Sequence, residues 1–469
     1  MEYVGNKVKD IKIAYIGGGS RGWAWGLMSD LVACDDMSGV VSLYDIDREA
    51  AEHNKIIGEK YNEAEGARSH WDYEVADTLE SALQDANFVV ISILPGTFEE
   101  MASDVHLPEK YGIYQAVGDT VGVGGIVRAL RTIPMIEKIG RVVKEVCPDA
   151  WVINYTNPMT MCVKTLYRVF PQIKAFGCCH EVFGTQSLLI KILNKYYGLE
   201  NINREDIKVN VLGVNHFTWL TSAYYQDIDL FETYKKFVEE YYETGYCENF
   251  DENWLNSCWR KAERVKMDLF KRYGYIAAAG DRHLAEFCPA NWYLHDKACV
   301  DFWKFALTSV DWRKKDLQER LECSEKYRTG KEPVKLRSTG EDGVNQIRAL
   351  LGLHEMTTNV NLPNIGQIPN LPLGVVVETN ASFRTNEVRP LIAGDIPTEI
   401  YSLVARIVGE QEALDKAAAT RDLEKAFAVF AADPQMKLSL GKARELFDKM
   451  IDNTKEYLTE YFHKEEFQR

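Results

Sequence analysis

Several side chains in this sequence are of the types that bind a divalent cation or move a proton, and they stand where secondary structure should break off. Cys178-Cys179-His180-Glu181 puts two soft thiols and an imidazole directly after the apolar stretch Ile173 to Gly177. Thiolate and imidazole are good ligands for a divalent transition metal. Val214-Asn215-His216-Phe217 offers a second imidazole at another strand end. Taken singly, vicinal cysteines are more often small buried hydrophobes, and a lone histidine is more often a satisfied core residue. Asp119 in Val117-Gly118-Asp119-Thr120, Asn157 ahead of Pro158, and Asp281-Arg282-His283 through Glu286 are further polar groups at turns or strand ends. Each could equally be a solvated turn. Chemically, an Asp beside an Arg and a His can serve as a base, and the Asn157 amide can orient a hydroxyl.

Such residues need a scaffold that gathers distant strand ends. Ile11 to Ile16 is a short apolar run ending in Gly17-Gly18-Gly19-Ser20-Arg21-Gly22, after which Trp23 to Val32 has helical spacing. Glycines at 17, 19 and 22 between a strand and a helix let backbone amides approach a pyrophosphate at the positive helix end. Val40 to Tyr44 predicts a second strand ending in Asp45, about 20 residues past the glycines, where a carboxylate accepts from a ribose hydroxyl. An acid there repels a 2′-phosphate, so the pattern predicts NAD and not NADP. Asp47 to Glu63 reads as helix, and Phe88 to Leu94 as a buried parallel strand stopped by Pro95-Gly96. Val127 to Val146 reads as a long helix, and Ala150 to Tyr155 as a strand before the turn Thr156-Asn157-Pro158.

This alternation predicts an α/β protein with a Rossmann-type, doubly wound N-terminal domain over residues 1–200. Its cofactor contacts would come from Gly17, Gly19, Ser20, Arg21, Gly22, Asp45 and Pro95. Residues 201–469 read as a mixed α/β, helix-rich domain for substrate and assembly, packed against the first. Within it Val209 to Val214 is a strand, Phe231 to Tyr275 is aromatic and charged at helical spacing, and Tyr401 to Tyr461 is nearly all amphipathic helix. Asn359 to Leu373, with three prolines and four asparagines, is expected to be a loop. Open α/β sheets bind ligands beyond the carboxyl ends of their strands, where the chemical residues fall.

The 469 residues exceed one ordinary domain, and 46% hydrophobic with 27% charged residues is the balance of a soluble globular chain. Apolar stretches fall far short of the ~20 residues of a membrane span, and the acidic N-terminus has no signal-peptide core, so a cytoplasmic location is expected. Lys plus Arg number 55 against 70 Asp plus Glu, and the net charge of −15 repels nucleic-acid phosphates and anionic membranes. Ten cysteines in such a chain read as reduced thiols.

With these residues in view, the sequence resembles the NAD- and metal-dependent family four of the glycoside hydrolases over essentially its whole length. The segments IAYIGGGSRGWAWGLMSDL, VVISILPGTFEEMASDVHLPEKYGIYQAVGDTVGVGGIVRALR, NYTNPM, GCCHEVFGTQ, GVNHFTW and AAGDRHLAEF carry the likeness in order. The Cys-His-Glu form of the cysteine motif is similar to the bacterial α-galacturonidase branch. What the resemblance implies is α-glycoside hydrolysis in which NAD⁺ oxidises C3 of the sugar, a base removes the C2 proton, the glycosidic oxygen leaves C1, water adds, and the hydride returns. A metal, usually Mn²⁺, acts as Lewis acid on the C2 and C3 oxygens. Cys179 and His216 would be its ligands, with Cys179 as thiolate and Cys178 only a neighbour. Asp281 would be the C2 base, and Asn157 would meet the sugar hydroxyls. His180 replaces an Asp of the phosphosugar relatives, so His180 and Asp119 are candidates for binding or proton donation.

A uronate needs a cation, for which Arg282, Arg128 and Arg131 stand available. The implied substrate is an α-galacturonide, with α-glucuronide, α-glucoside or another α-hexoside as competitors, and the implied assembly is a homodimer or homotetramer. Two other readings use the same first domain: an NAD-dependent 2-hydroxy acid dehydrogenase, which needs no metal, and a non-catalytic NAD-sensing protein.

Overall fold

Strands whose side chains are apolar on both faces must be covered on both faces, and the first 180 residues behave accordingly. Along Lys7–Ile16, Ile13 and Tyr15 enter one core while Ala14 and Ile16 enter another. The first core is closed by Trp23–Val32, Arg48–Tyr61 and Gly343–Leu350, and the second by Gly122–Val146 and Met159–Val169. The computed structural model describes residues 1–247 and 261–462. Residues 248–260 of the predicted Phe231 to Tyr275 helical stretch lie outside the described residues.

Six parallel strands run in the spatial order Trp71–Val75, Met37–Tyr44, Lys7–Ile16, Phe88–Ile91, Trp151–Asn154, Lys174–Gly177. This is the doubly wound order of a dinucleotide-binding fold, with the crossover reversing between Lys7–Ile16 and Phe88–Ile91. The predicted strand Phe88 to Leu94 stops at Ile91, and the chain turns away before Pro95.

The sheet does not end there. Met356–Pro363, Val376–Arg384 and Glu387–Pro390 extend it antiparallel beyond Lys174–Gly177, joined through Asn361 and Gly177. The expectation of a loop over Asn359 to Leu373 is therefore corrected for its first five residues. Asparagine and proline are poor strand formers in general, but here burial overrides propensity. The Asn359 amide donates to Glu378 Oε1 at 2.6 Å and the Asn361 amide to the Gly177 carbonyl at 3.5 Å. Only residues 364–373 are irregular.

A second, antiparallel sheet is built on the hairpin Lys208–Val214 and Phe217–Tyr225, with Ile228–Asp229 and Ile276–Ala277 against the latter. Helices Thr398–Ala419, Leu423–Ala432 and Leu440–Asn453 pack Leu414, Phe430 and Phe447 onto Val123, Ile126 and Leu130 of the long helix. This matches the amphipathic reading of Tyr401 to Tyr461. Among the described residues, no helix is long and apolar enough to cross a membrane.

Candidate active site at the strand ends

The glycine turn is shaped by contacts that tolerate no side chain. Gly17 has φ +98°, and a Cβ there would lie 2.0 Å from the Ser92 carbonyl oxygen. The Gly17 and Gly18 amides donate to Tyr44 O, both at 2.9 Å, and Ser20 N donates to Gly17 O at 3.0 Å. Gly22 forms the N-cap of Trp23–Val32, and that helix N-terminus faces the turn. Asp45 is already engaged: Oδ2 accepts from Gly19 N at 2.8 Å and Oδ1 from Asp47 N at 2.9 Å. Arg21 lies 4.0 Å from the Asp47 carboxylate, and its carbonyl accepts from Arg320 at 2.9 Å. Pro95 presents its carbonyl to Arg131 Nε at 3.1 Å.

Asn54 escaped the sequence reading. Its buried amide donates to Gly18 O at 2.7 Å and Ser20 O at 3.0 Å, while its oxygen accepts from Trp25 Nε1 at 2.8 Å. A polar residue on the buried face of the Arg48–Tyr61 helix was the available signal. Asn54→Ala would strand the two loop carbonyls and is expected to destabilise the fold by about 1–3 kcal/mol. Denaturant unfolding checks this, and an unchanged midpoint would mean that the turn holds itself.

The second half supplies the other wall. Val214 pairs with Phe217, so Asn215 and His216 form a two-residue turn, and His216 sits at φ 65°. Non-glycine residues in this region cost energy and cluster at functional sites. The His216 ring stacks on His283 with centroids 3.8 Å apart, and next to it Phe217 stacks on Phe287 at 4.9 Å. His283 and Phe287 lie one helical turn apart on Asp281–Phe287, so the paired rings lock the hairpin tip onto that helix. His216 Nδ1 is 2.9 Å from Thr120 Oγ1, which donates to Asp119 Oδ1 at 2.7 Å. Glu286 fixes the same loop by accepting from Val117 N at 2.8 Å and Gly118 N at 2.9 Å.

Asp119, His216 and His283 each bring a ligand atom within 4.8 Å of the others. Burial, and then the neighbouring His283, push His216 down to about 3; burial also lowers His283. Both rings are therefore neutral near pH 7, with lone pairs free to bind a cation. Burial alone would raise Asp119, but Arg128, His283 and His216 outweigh it and hold the carboxyl at about 2. Glu181 is held low in the same way, against its burial, by His283 and Lys261. The result is a carboxylate and two neutral imidazoles at one point, a set with oxygen and nitrogen donors for a divalent metal. His283 joins this set although its motif alone points only to a base beside Asp281 and Arg282.

Of the other expected residues, Asn157 and Arg128 adjoin this cluster. Asn157 donates to Asp119 Oδ2 at 3.2 Å, and its own Oδ1 is buried without a hydrogen-bond partner. Arg128 Nε donates to Asn157 O at 3.3 Å. Cys179 is not one of the three clustered residues; it is buried beside Asn215, Glu378 and Glu181. Burial first, then the two carboxylates, push its thiol well above the ordinary range, so only a bound cation would ionise it. Cys178 points elsewhere, to Gln346 Oε1 at 3.0 Å. Asp281 is wholly buried: Oδ1 accepts from Lys266 N at 3.0 Å and Oδ2 has no partner. Arg282 donates to Ala116 O and Thr308 Oγ1, and Arg131 is fully buried against Asp104.

His180 lies farther out, on the wall of a cleft of about 510 Å³ also lined by Gly22, Trp23, Tyr155, Arg320 and Glu341. Glu341 Oε1 sits 2.9 Å from His180 Nδ1, and this hydrogen bond raises the imidazole above its usual value. The chain thus carries a glycine turn whose Gly22 borders a cleft with a protonatable group, and a buried polar cluster of cation-ligand types. It can bind a nucleotide, bind a cation, and move protons.

Comparison with known proteins agrees with that geometry. The model of the family 4 glycosyl hydrolases matches residues 12–195, and that of the family 4 glycosyl hydrolase C-terminal domain matches residues 211–436. An α-galacturonidase of Thermoanaerobacterium saccharolyticum is 59% identical over 458 residues, 98% of each chain. The crystal structure of lplD from Bacillus subtilis has a TM-score of 0.89 at 50% identity, covering 94% of this chain and 100% of that one. A 6-phospho-α-glucosidase from gut microorganisms, solved with NAD and Mn²⁺, shares the fold at a TM-score of 0.76 and 20% identity, with 96% and 99% covered. The doubly wound fold and full-length likeness place this chain in family 4 of the glycosyl hydrolases.

Proposed function

We propose that the protein is an α-galacturonidase working with NAD⁺ and a divalent metal, Mn²⁺ first among them. One observation carries the chemistry: Asp119, His216 and His283 converge beside Asn157, just past the end of Trp151–Asn154, in a chain whose glycine turn accepts only glycine at 17. The sugar is supported by the 59% identity to the Thermoanaerobacterium enzyme over nearly the whole chain. Family membership makes the dehydrogenase and sensor readings the weaker ones. A cytoplasmic location and a homodimeric or homotetrameric state belong to the same proposal.

The residues present fit both groups. Gly17, Gly19, Ser20, Arg21 and Gly22 offer a close backbone approach at a helix N-terminus, with Asp45 and Pro95 at its flanks. His216 and Cys179 would hold the metal with Asp119 and His283 beside them, and the His283 Nδ1 is a buried atom lacking a hydrogen-bond partner. When bound, NAD⁺ supplies a hydride acceptor for C3, and the metal supplies a Lewis acid for the C2 and C3 oxygens.

The chain's own groups do the rest. Asn157, held on Asp119, presents its free carbonyl oxygen to a sugar hydroxyl. With C3 at the ketone level the C2 proton is acidic, and Asp281 takes it through its unpartnered Oδ2. The glycosidic oxygen leaves C1 with a proton from His180, a role supported by its place on the cleft wall and its bond to Glu341. Arg282 and Arg128 are the proposed carboxylate ligands; Arg131 is committed to Asp104 and Pro95.

Release of 4-nitrophenol from α-galacturonide, α-glucuronide, α-glucoside and α-galactoside tests the proposal, with NAD⁺, Mn²⁺ and reductant each withheld in turn. Cleavage of the galacturonide alone, lost without metal or NAD⁺, is expected; preference for a neutral sugar would overturn the uronide. Asp45→Ala is expected to weaken NAD⁺ binding by about 1.5–3 kcal/mol for each hydrogen bond lost to the charged acceptor. Calorimetry giving wild-type affinity would remove Asp45 from the cofactor site.

A further inference from the structure

A lone acid in an apolar strand is costly to bury, so its partners explain why it is there. Glu378 follows Val375-Val376-Val377 on Val376–Arg384, the middle of the three strands that extend the sheet antiparallel, and it is 1% exposed. Side-chain amides meet both of its oxygens: Oε1 accepts from Asn359 at 2.6 Å and Oε2 from Asn215 at 3.1 Å, with Asn361 as a third amide partner. The Asn359 amide also reaches the Cys179 carbonyl at 3.3 Å. Asn215 is the residue before His216 in the two-residue turn. One carboxylate thus stands between two strand ends far apart in sequence, the end of Lys174–Gly177 that carries Cys179 and the hairpin tip that carries His216.

We infer that Glu378 is a positioning residue that fixes Cys179 and His216 at the spacing a divalent metal requires. The inference rests on the proposal that these two residues hold the metal. Ligand-orienting partners of this kind are as much a part of a metal site as the ligands. The carboxylate suits the task because it only accepts, and both neighbours only donate toward it. An amide at 378 would turn one NH₂ group against Asn215 or Asn359 and release that strand end, while leaving volume and packing nearly unchanged.

The test is Mn²⁺ binding to the full-length NAD⁺-loaded protein, read by electron paramagnetic resonance of free Mn²⁺, for wild type, Glu378→Gln and Cys179→Ser. NAD⁺ affinity and melting temperature are measured on the same samples. Glu378→Gln is expected to weaken Mn²⁺ binding by about 10–100-fold with NAD⁺ affinity unchanged, and Cys179→Ser to abolish it. Wild-type Mn²⁺ affinity in Glu378→Gln beside a dead Cys179→Ser would overturn the role of Glu378. So would an equal loss of Mn²⁺ and NAD⁺ binding with a lowered melting temperature, which marks a merely structural residue. Undiminished Mn²⁺ binding in Cys179→Ser would instead sink the metal assignment itself. If Glu378→Gln does not fold, Asn215→Ala cuts the same tie at the hairpin and carries the same expectations.

Discussion

The His216→Asn variant is expected to lose on the order of 10³-fold in kcat/KM with its fold intact. Asparagine is the right replacement because it tolerates the left-handed backbone that His216 adopts at φ 65°. Alanine would add backbone strain to the loss of the ring. The variant removes the imidazole that bonds Thr120 and stacks on His283, and with it the proposed nitrogen ligand of the metal. A Lewis acid contributes several kcal/mol to a transition state that places charge on oxygen, and each 1.36 kcal/mol is tenfold in rate. Strand pairing resumes at Phe217, whose ring stays against Phe287, so the hairpin should persist. Steady-state kinetics at saturating Mn²⁺, with circular dichroism as the fold control, decide the matter. A loss smaller than about tenfold would exclude His216 from the metal site.

Asp281→Asn is expected to lower kcat by about 10²–10⁴-fold, the range for removing a positioned general base. Burial first, and then the Glu263 carboxylate, push Asp281 up to about 7. A base works only when ionised, so wild-type kcat/KM should climb as pH rises through about 7 and level off above it. The variant should have no such limb, since its amide does not titrate. A pH profile that keeps the same limb in Asp281→Asn would assign the base to another residue.

How far the sequence could be read depended on whether a residue's partner was local. Gly17 to Gly22, Asp45 and the strands beside them form one crossover unit, and their order alone made the doubly wound fold legible. Asp119, Asn157, His216 and Asp281 were marked by polar chemistry at strand ends, and three of the four sit around one cluster. What stayed hidden was long-range. Asn359 to Pro363 looked like loop because asparagine and proline are weak strand formers, and only its pairing with Lys174–Gly177 and Val376–Arg384 makes it a strand. The place of His283 in the cluster depends on its ring stacking on His216, 67 positions earlier in the chain. Asn54 and Glu378 left one trace each, a polar residue on an apolar face, which announces an unusual partner without naming it. The thiol of Cys179 and the three-residue cluster are adjacent but not coincident, and no spacing rule separates those two arrangements.

Hydrolysis of an α-galacturonide in D₂O, followed by proton NMR of the released sugar, addresses the redox and elimination route directly. Removal of the C2 proton before the glycosidic bond breaks requires that a solvent deuteron occupy C2 in the product. Galacturonate deuterated at C2 is the predicted result, with no net accumulation of NADH. Galacturonate released at full rate with protium retained at C2 would contradict the mechanism and point to direct displacement at C1.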